Sequence, residues 1–323
     1  MDNKLTKKRL SDFLAYEWIL TIIVAVAAII VWEFVYTVSA VRLTTGQSFK
    51  FYYDENVASL GDGYFYEMLS DDVFSYDVKE LSSESLTSNY NVLSTRLSVY
   101  EGDVIFTDSA AKEDGNVRAA ELADQYGYNY ERMLSDAKEY LKKFLKDGET
   151  NMLVYDNLDE DKIIANFNVR AEKRVYKNAL KAGEISYRNE LERIKKLCAE
   201  TSDFEKLLSC EKDGLFYRYT RYEQSAKNAQ EKNKESYETL VGKEKEAGRE
   251  NAVYGLELGA LSGGRNSVTK YVKRAGKADA AGVTLLVFDF KSEQEDLQYE
   301  AIAFINAIVR DCSDILSTAG GAL

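Results

Sequence analysis

Residues 49–54, FKFYYD, and 103–108, DVIFTD, bracket the stretch that decides the fold. Each reads as a strand, the second of them apolar. Between them, GYFYEML at 63–69 reads as a short helix and VFSYDVKEL at 73–81 alternates apolar and polar residues as a second strand. SNYNVLSTRLSVY at 88–100 then sets Tyr90, Leu93, Leu97 and Tyr100 on one helical face. The order β-α-β-α-β with short connections specifies a parallel sheet with right-handed crossovers. The expectation is an α/β lobe.

Upstream, residues 1–18 carry Lys4, Lys7, Lys8 and Arg9, and residues 19–31, ILTIIVAVAAIIV, hold no charge. Continued through WEFVYTVSA to residue 40, the span is long enough to cross ~30 Å of hydrocarbon at 1.5 Å per residue. Trp18 at one edge with Trp32 and Tyr36 toward the other fits aromatic belts. The basic residues place 1–18 in the cytosol as a tail, 19–40 in lipid as a signal-anchor, and 43–323 outside the cytoplasm at the cell surface. Glu33 reads as an interfacial residue of the span. Val38-Ser39-Ala40 also has the small-residue pattern of a signal-peptidase site, so cleavage after Ala40 stands as the alternative to an uncleaved anchor.

Downstream, 110 to about 250 turns helical. NYERMLSDAKEYLKKFLK presents Met133, Ala137, Tyr140, Leu141 and Phe144 at helical spacing, and NMLVYD at 151–156 reads as a strand. Tyr187, Leu191, Ile194 and Cys198 step along a buried helical face within 184–209, while 221–250, rich in Glu and Lys, reads as a solvated helix. VTLLVFDF at 283–290 is a buried strand, and 297–316 forms an amphipathic terminal helix. The expected organisation is an α/β lobe from 43–109 with 280–323, and a helix-rich second lobe from 110–279.

Composition narrows the chemistry. The 323 residues carry a formal charge of −12 and contain no histidine and no proline, where average usage of about 5% would give roughly 16 prolines. Without histidine there is no Ser-His-Asp or Cys-His catalysis, no His-ligated metal and no imidazole switch. The acidic balance disfavours nucleic acid as a partner. Tyrosine, with 23 copies, is the excess residue type and combines an apolar face with a pairing hydroxyl. Cys198, Cys210 and Cys312 make no metal motif; Cys198 and Cys210 either pair in an oxidising space or remain thiols.

The strand VFSYDVKEL, the helix YNVLSTRLSVYEG, the strand GDVIFTD and the C-terminal DLQYEAIAFINAIVRD together resemble the extracellular solute-binding proteins of ABC importers, the family-1 type that largely serves sugars and oligosaccharides. The resemblance covers about a third of the chain. It implies a periplasmic-binding-protein-like, two-lobed Venus-flytrap fold with a small polar solute between the lobes. It also implies an ABC transporter permease as partner. The chain departs from the family in its transmembrane helix, its short ectodomain and its helical middle. A membrane-tethered relative that no longer binds a transported solute is the companion reading, with the domain acting as a structural or accessory interaction protein of the envelope.

Candidate ligand contacts follow from residue type. In LFYRYTRY at 215–222, an extended backbone turns Tyr217 and Tyr219 to one face and Arg218 to the other, a pattern that stacks on sugar rings and pairs with hydroxyls. Its alternative is a strand whose tyrosines pack on the core. Open α/β sheets bind ligands at strand ends, which selects Asp108 after VIFT and Asp289 within VFDF; the alternative for each is a turn-capping aspartate. Tyr254 beside Gly255 is a candidate for a hinge or cleft lining. Ser262-Gly263-Gly264-Arg265-Asn266 lacks the GxxxxGK[ST] pattern and reads as a turn. The stretch from Arg170 to Lys196, with nine Lys/Arg against four Glu, reads as a solvated helix or a face toward anionic lipid or wall polymer. No cofactor, metal or catalytic residue is expected, and no spacing singles out the acid pair of a glycosidase.

Overall fold

The computed structural model describes residues 6–13, 18–39, 48–59, 63–70, 73, 74, 78, 80–86, 90–98, 101–110, 117–172, 187–220, 239, 242, 245, 250–289 and 299–316. Met1–Arg42 and Leu43–Leu323 are two separate compact units.

The first unit holds α1 (Lys7–Asp12) and α2 (Trp18–Ser39). The α2 stretch Trp18–Tyr36 has a mean hydropathy of 2.5 and buries none of its surface in the protein. Its 22 residues rise ~33 Å, the thickness of the hydrocarbon layer. It is one helix long and apolar enough to cross a membrane as an anchor, a property that a signal sequence shares.

The second unit is built on six strands: β1 (Ser48–Asp54), β3 (Glu80–Leu86), β4 (Val104–Asp108), β5 (Phe216–Tyr219), β6 (Ala252–Glu257) and β8 (Val283–Val287), in the spatial order β3-β1-β4-β8-β6-β5. β1 pairs in parallel with β3 on one side and β4 on the other; β8, β6 and β5 join by antiparallel pairing. Two short strands, β2 (Val57–Ser59) and β7 (Val272–Arg274), form a separate antiparallel ribbon.

Alternation along the strands divides the interior into two layers. Phe49, Phe51 and Tyr53 of β1, Val104 and Phe106 of β4, and Val283, Leu285 and Val287 of β8 face the larger one. It is closed by α3 (Gly63–Ser70), α6 (Tyr130–Lys142), α8 (Tyr187–Leu208) and α9 (Glu300–Cys312), with Phe65, Met133, Ile194 and Phe304 among the residues they contribute. Tyr52, Ile105 and Leu286 point to the other face, under α4 (Tyr90–Leu97) and α5 (Arg118–Tyr126). α7 (Glu160–Glu172) packs beside α8. Phe304 stands at the centre of the large layer, fully buried, with the rings of Phe49 and Phe51 at 5.0 and 6.1 Å.

Several expectations are corrected. The parallel sheet expected for the β-α-β-α-β run is present in β3, β1 and β4, whereas β8, reached after a long excursion of the chain, runs against β4. Residues 110–279 do not separate as a second lobe, since their strands β5 and β6 hydrogen-bond into the same sheet as β8. What the described residues show is a mixed α/β unit with a six-stranded mixed sheet, a coarser statement than the expected two-lobed arrangement. The second strand is Glu80–Leu86 and not 73–81: Phe74 is a core residue on the way into it, and the strand itself is a polar edge strand. NMLVYD is no strand but an exposed loop ending in a 3-10 turn at Tyr155–Asn157. Cys198 and Cys210 are free thiols, as is Cys312. The ten helical steps from Cys198 to Leu208 alone span roughly 15 Å, whereas a disulfide needs Cα atoms within about 7 Å. Of the solvated helix expected over 221–250 only residues 239, 242, 245 and 250 are described, and the middle of the basic stretch, 173–186, lies outside the described residues.

Candidate functional site

The parallel strands β1 and β4 end side by side in Asp54 and Asp108. Because β1 turns to β3 on one side and to β4 on the other, the sheet order reverses between these two ends, which is where open α/β sheets place ligands. β6 lies parallel to β4 across β8, so its last residue, Glu257, reaches the same edge. Three carboxylates thus converge there. Two arginines join them, Arg118 at the start of α5 and Arg274 at the end of β7.

The groups are organised by short contacts. Thr107 Oγ1 donates to Asp54 Oδ2 at 2.9 Å, and Arg118 Nε stands 3.7 Å from the same oxygen while its guanidinium also holds Glu121. Arg274 donates to Asp108 Oδ2 at 3.0 Å, and the Ala110 N–H donates to Oδ1 at 2.9 Å. Glu257 accepts from Thr284 Oγ1 at 2.7 Å and from Ser109 Oγ at 3.1 Å. Burial pushes the Glu257 carboxyl above the usual range, the two hydroxyl donors pull it back, and the Asp108 charge adds to the rise. Gly282 carries the backbone past Asp108 at φ 74, in the left-handed region that favours glycine. The Asp54 and Asp108 side chains are 1% and 5% exposed, whereas Arg274 keeps 33% of its side chain in solvent. Arg274 is accordingly the accessible rim of a buried polar cluster.

The candidates chosen from sequence are spread over the sheet. Asp108 belongs to the cluster. Asp289 does not: β8 is antiparallel to β4, so the residue after its end lies at the opposite sheet edge, where Arg132 pairs with it at 3.2 Å. Tyr217 and Tyr219 share a face, but it is the face under α5, where Tyr219 is buried and Tyr217 packs against the same cluster. Tyr254 is buried there too, its ring 6.0 Å from that of Tyr219, and lines no cleft. The tyrosines are core because alternation along β5 turns Tyr217 and Tyr219 to the face that α5 covers, where Tyr254 of β6 also packs. Arg218 is exposed and donates to the Asn251 carbonyl at 3.0 Å. The turn at 262–266 is pinned to the end of α9, with Asn266 Nδ2 donating to Asp311 Oδ1 at 2.7 Å.

Sequence reasoning missed Asp54, Arg118, Glu257 and Arg274. A signal for the first was present: FKFYYD and VIFTD are both apolar strands ending in aspartate, and neighbouring parallel strands bring such ends together. The arginines carried none, since α5 and β7 meet the edge only through tertiary packing. Among the described residues, no group of three or more Cys, Asp and Glu side chains is placed to hold a metal ion.

Fold and site define a mixed α/β domain with a polar cluster at its carboxyl sheet edge, on a chain whose N-terminal helix can cross a membrane. No family model, curated protein or solved structure matches the chain.

Proposed function

We propose that this chain is a membrane-anchored, extracytoplasmic recognition domain that binds a small polar ligand of the carbohydrate class at the edge formed by Asp54, Asp108, Glu257, Arg118 and Arg274, without covalent chemistry. The observation that supports it is the convergence of carboxylates and arginine forks at the switch between β1 and β4. Carboxylates accept from vicinal hydroxyls, and guanidinium groups donate to ring and hydroxyl oxygens. The basic residues before the apolar helix favour a cytoplasmic N-terminus. Delivery to an ABC-type permease is the partner that the resemblance to solute-binding proteins implies.

A second reading, a tethered accessory domain of an envelope complex with no transported ligand, draws on a different observation. Asp108 is already paired with Arg274, and Glu257 with Thr284 and Ser109, so the edge satisfies itself. The test is a thermal-shift screen of the full chain in phosphatidylcholine vesicles against monosaccharides, oligosaccharides, amino acids and peptides. A sugar-specific rise in melting temperature supports recognition. Silence across the panel, with a membrane protein co-purifying, supports the accessory reading.

A further inference from the structure

The sequence around β7 reverses the charge of the chain. Residues 265–279, RNSVTKYVKRAGKAD, hold five Lys/Arg against one Asp in a protein whose formal charge is −12. A local excess against the net charge sets the field that an approaching ion meets, and so selects partners of the opposite sign. In the fold this segment supplies β7, which carries Arg274 to Asp108 at the carboxyl edge.

The backbone holds Arg274 in place. Its N–H donates to the Asp279 carbonyl at 2.9 Å, and the Lys277 N–H donates to the Arg274 carbonyl at 3.0 Å. The second bond closes a four-residue turn over Ala275 and Gly276, where the glycine supplies a φ of 72. The Ala275 N–H donates to the Asn56 carbonyl at 2.8 Å and ties the turn to the chain between β1 and β2. Val272 is fully buried and shares its face of β7 with Arg274, so Arg274 turns in toward Asp108 while Lys273 alternates outward. A group ordered before it meets its ligand loses little conformational freedom on binding.

The arginine fork is only partly used. A guanidinium has five N–H donors, and Asp108, the side-chain partner of Arg274 among the described residues, takes one bond at 3.0 Å. The exposed third of the side chain leaves further donors open to a ligand. The cluster carboxylates are turned inward: Asp54 and Asp108 are buried and each is met by an arginine, and Glu257 accepts from Thr284 and Ser109. Two exposed acids stand near them in the chain, Glu55 after β1 and Asp279, whose Oδ1 accepts the Ala281 N–H at 3.1 Å. Against these the ribbon sets Lys273, Arg274 and Lys277, and among the described residues no acid pairs with either lysine. Lys277 sits across the turn from Arg274, within the ~10 Å over which charges act at ~0.1 M salt.

A neutral sugar would leave this cationic rim without a counter-charge. A carboxylate or phosphate matches the planar fork of arginine, and its hydrogen bonds are about twice as strong as neutral ones. Resting on the carbohydrate recognition proposed for this edge, we infer that its ligand is an acidic sugar. The oxyanion is taken by Arg274, which Asp108 positions, and Lys273 and Lys277 draw the ligand in.

The test is calorimetric titration of the full chain in phosphatidylcholine vesicles with matched probes: glucose against glucuronate and glucose 6-phosphate, and galactose against galacturonate. Acetate and inorganic phosphate serve as bare anions. The acidic member of a pair should bind at least ~10-fold more tightly than the neutral one, and raising sodium chloride from ~0.05 to ~0.5 M should weaken it several-fold. Tight binding of a uronate identifies the oxyanion as a carboxylate, and of glucose 6-phosphate as a phosphate; either supports the inference. Lys273→Gln with Lys277→Gln, which leaves the Arg274–Asp108 pair intact, should weaken the acidic sugar several-fold at low salt with an unchanged melting temperature. Arg274→Lys keeps a cation beside Asp108 but loses the fork, and should bring acidic and neutral sugars closer in affinity. Neutral sugars that bind as tightly as their acids overturn the inference and leave carbohydrate recognition standing. Bare anions that bind as tightly as the acidic sugars also overturn it, because the sugar then adds nothing. No heat from any probe overturns both.

Discussion

Replacing Phe304 with alanine probes the packing that holds the sheet against its helices. The ring is fully buried and has five aromatic neighbours, with centroids at 5.0 Å (Phe49), 6.1 Å (Phe51), 5.9 Å (Phe65), 6.5 Å (Phe74) and 6.2 Å (Phe106). Truncating a buried Phe costs about 3–5 kcal/mol through lost transfer energy and an unrelaxed cavity, and favourable ring pairs add ~0.5–1.5 kcal/mol each beyond their area. With β1, β4, α3 and α9 all contributing rings, the site has little freedom to collapse. The upper part of the range, about 4–5 kcal/mol, is therefore expected. Against a typical domain stability of about 5–15 kcal/mol, that is a large fraction. It lowers the melting temperature by about 10–15 °C at ~2–4 °C per kcal/mol. Phe304→Leu, which retains most of the volume, should cost about 1–2 kcal/mol, and Val92→Ala on the exposed face of α4 less than ~0.5 kcal/mol. Thermal melts of the full chain followed by near-ultraviolet circular dichroism measure all three. A loss below ~1.5 kcal/mol for Phe304→Ala, or equal losses for alanine and leucine, would refute the reasoning.

Three further outcomes follow from particular contacts. Gly264 lies so close to the end of α9 that a Cβ there would sit 2.2 Å from the Cys312 carbonyl carbon and 2.3 Å from the Ser313 nitrogen; Gly264→Ala should destabilise by about 2–3 kcal/mol, and an unchanged denaturation midpoint would rule out the close approach. Burial pushes the Asp103 carboxyl up to about 7, the Lys50 N–H holds it back and the Glu300 charge adds to the rise. The folded state therefore keeps this proton longer than the unfolded chain does. Its contribution to stability is complete below pH ~4 and is lost as the pH rises through about 7. Melting temperature against pH should fall less steeply for Asp103→Asn over this window, and parallel curves would contradict the assignment. Burial also pushes the Cys198 and Cys312 thiols up to about 12, so iodoacetamide should modify the partly exposed Cys210 first; equal rates at all three would argue against the core placement.

Much of the α/β core was legible because strands that alternate with helices leave local marks. FKFYYD, GYFYEML, YNVLSTRL and VIFTD each carry their own periodicity and fall where the structure places β1, α3, α4 and β4. VTLLV is apolar apart from Thr284 because β8 is covered on both faces. What was not legible depends on pairing at a distance. ELSSESL is too polar to announce a strand, yet it pairs along the whole of β1 because that edge needs a partner. FYRY and AVYGLE gave no hint that they would extend the first sheet and not found a second. For the site, Asp108 was readable as a strand end, but the direction of β8 decided that Asp289 lies elsewhere and that Glu257 joins instead. The tyrosines misled because Tyr217, Tyr219 and Tyr254 have the composition of a sugar platform, whereas in the fold α5 packs over them.

Direct binding at the carboxyl edge tests the account most closely: calorimetric titration of the full chain in vesicles with the sugar that shifts its melting temperature most, for the natural chain and for Asp108→Asn. Losing a charged hydrogen-bond acceptor is worth ~1.5–3 kcal/mol, so the account predicts affinity weakened about 10- to 100-fold in the variant, measured at a temperature where the variant is still folded. Equal affinity in both proteins, or no heat from any sugar, would contradict it.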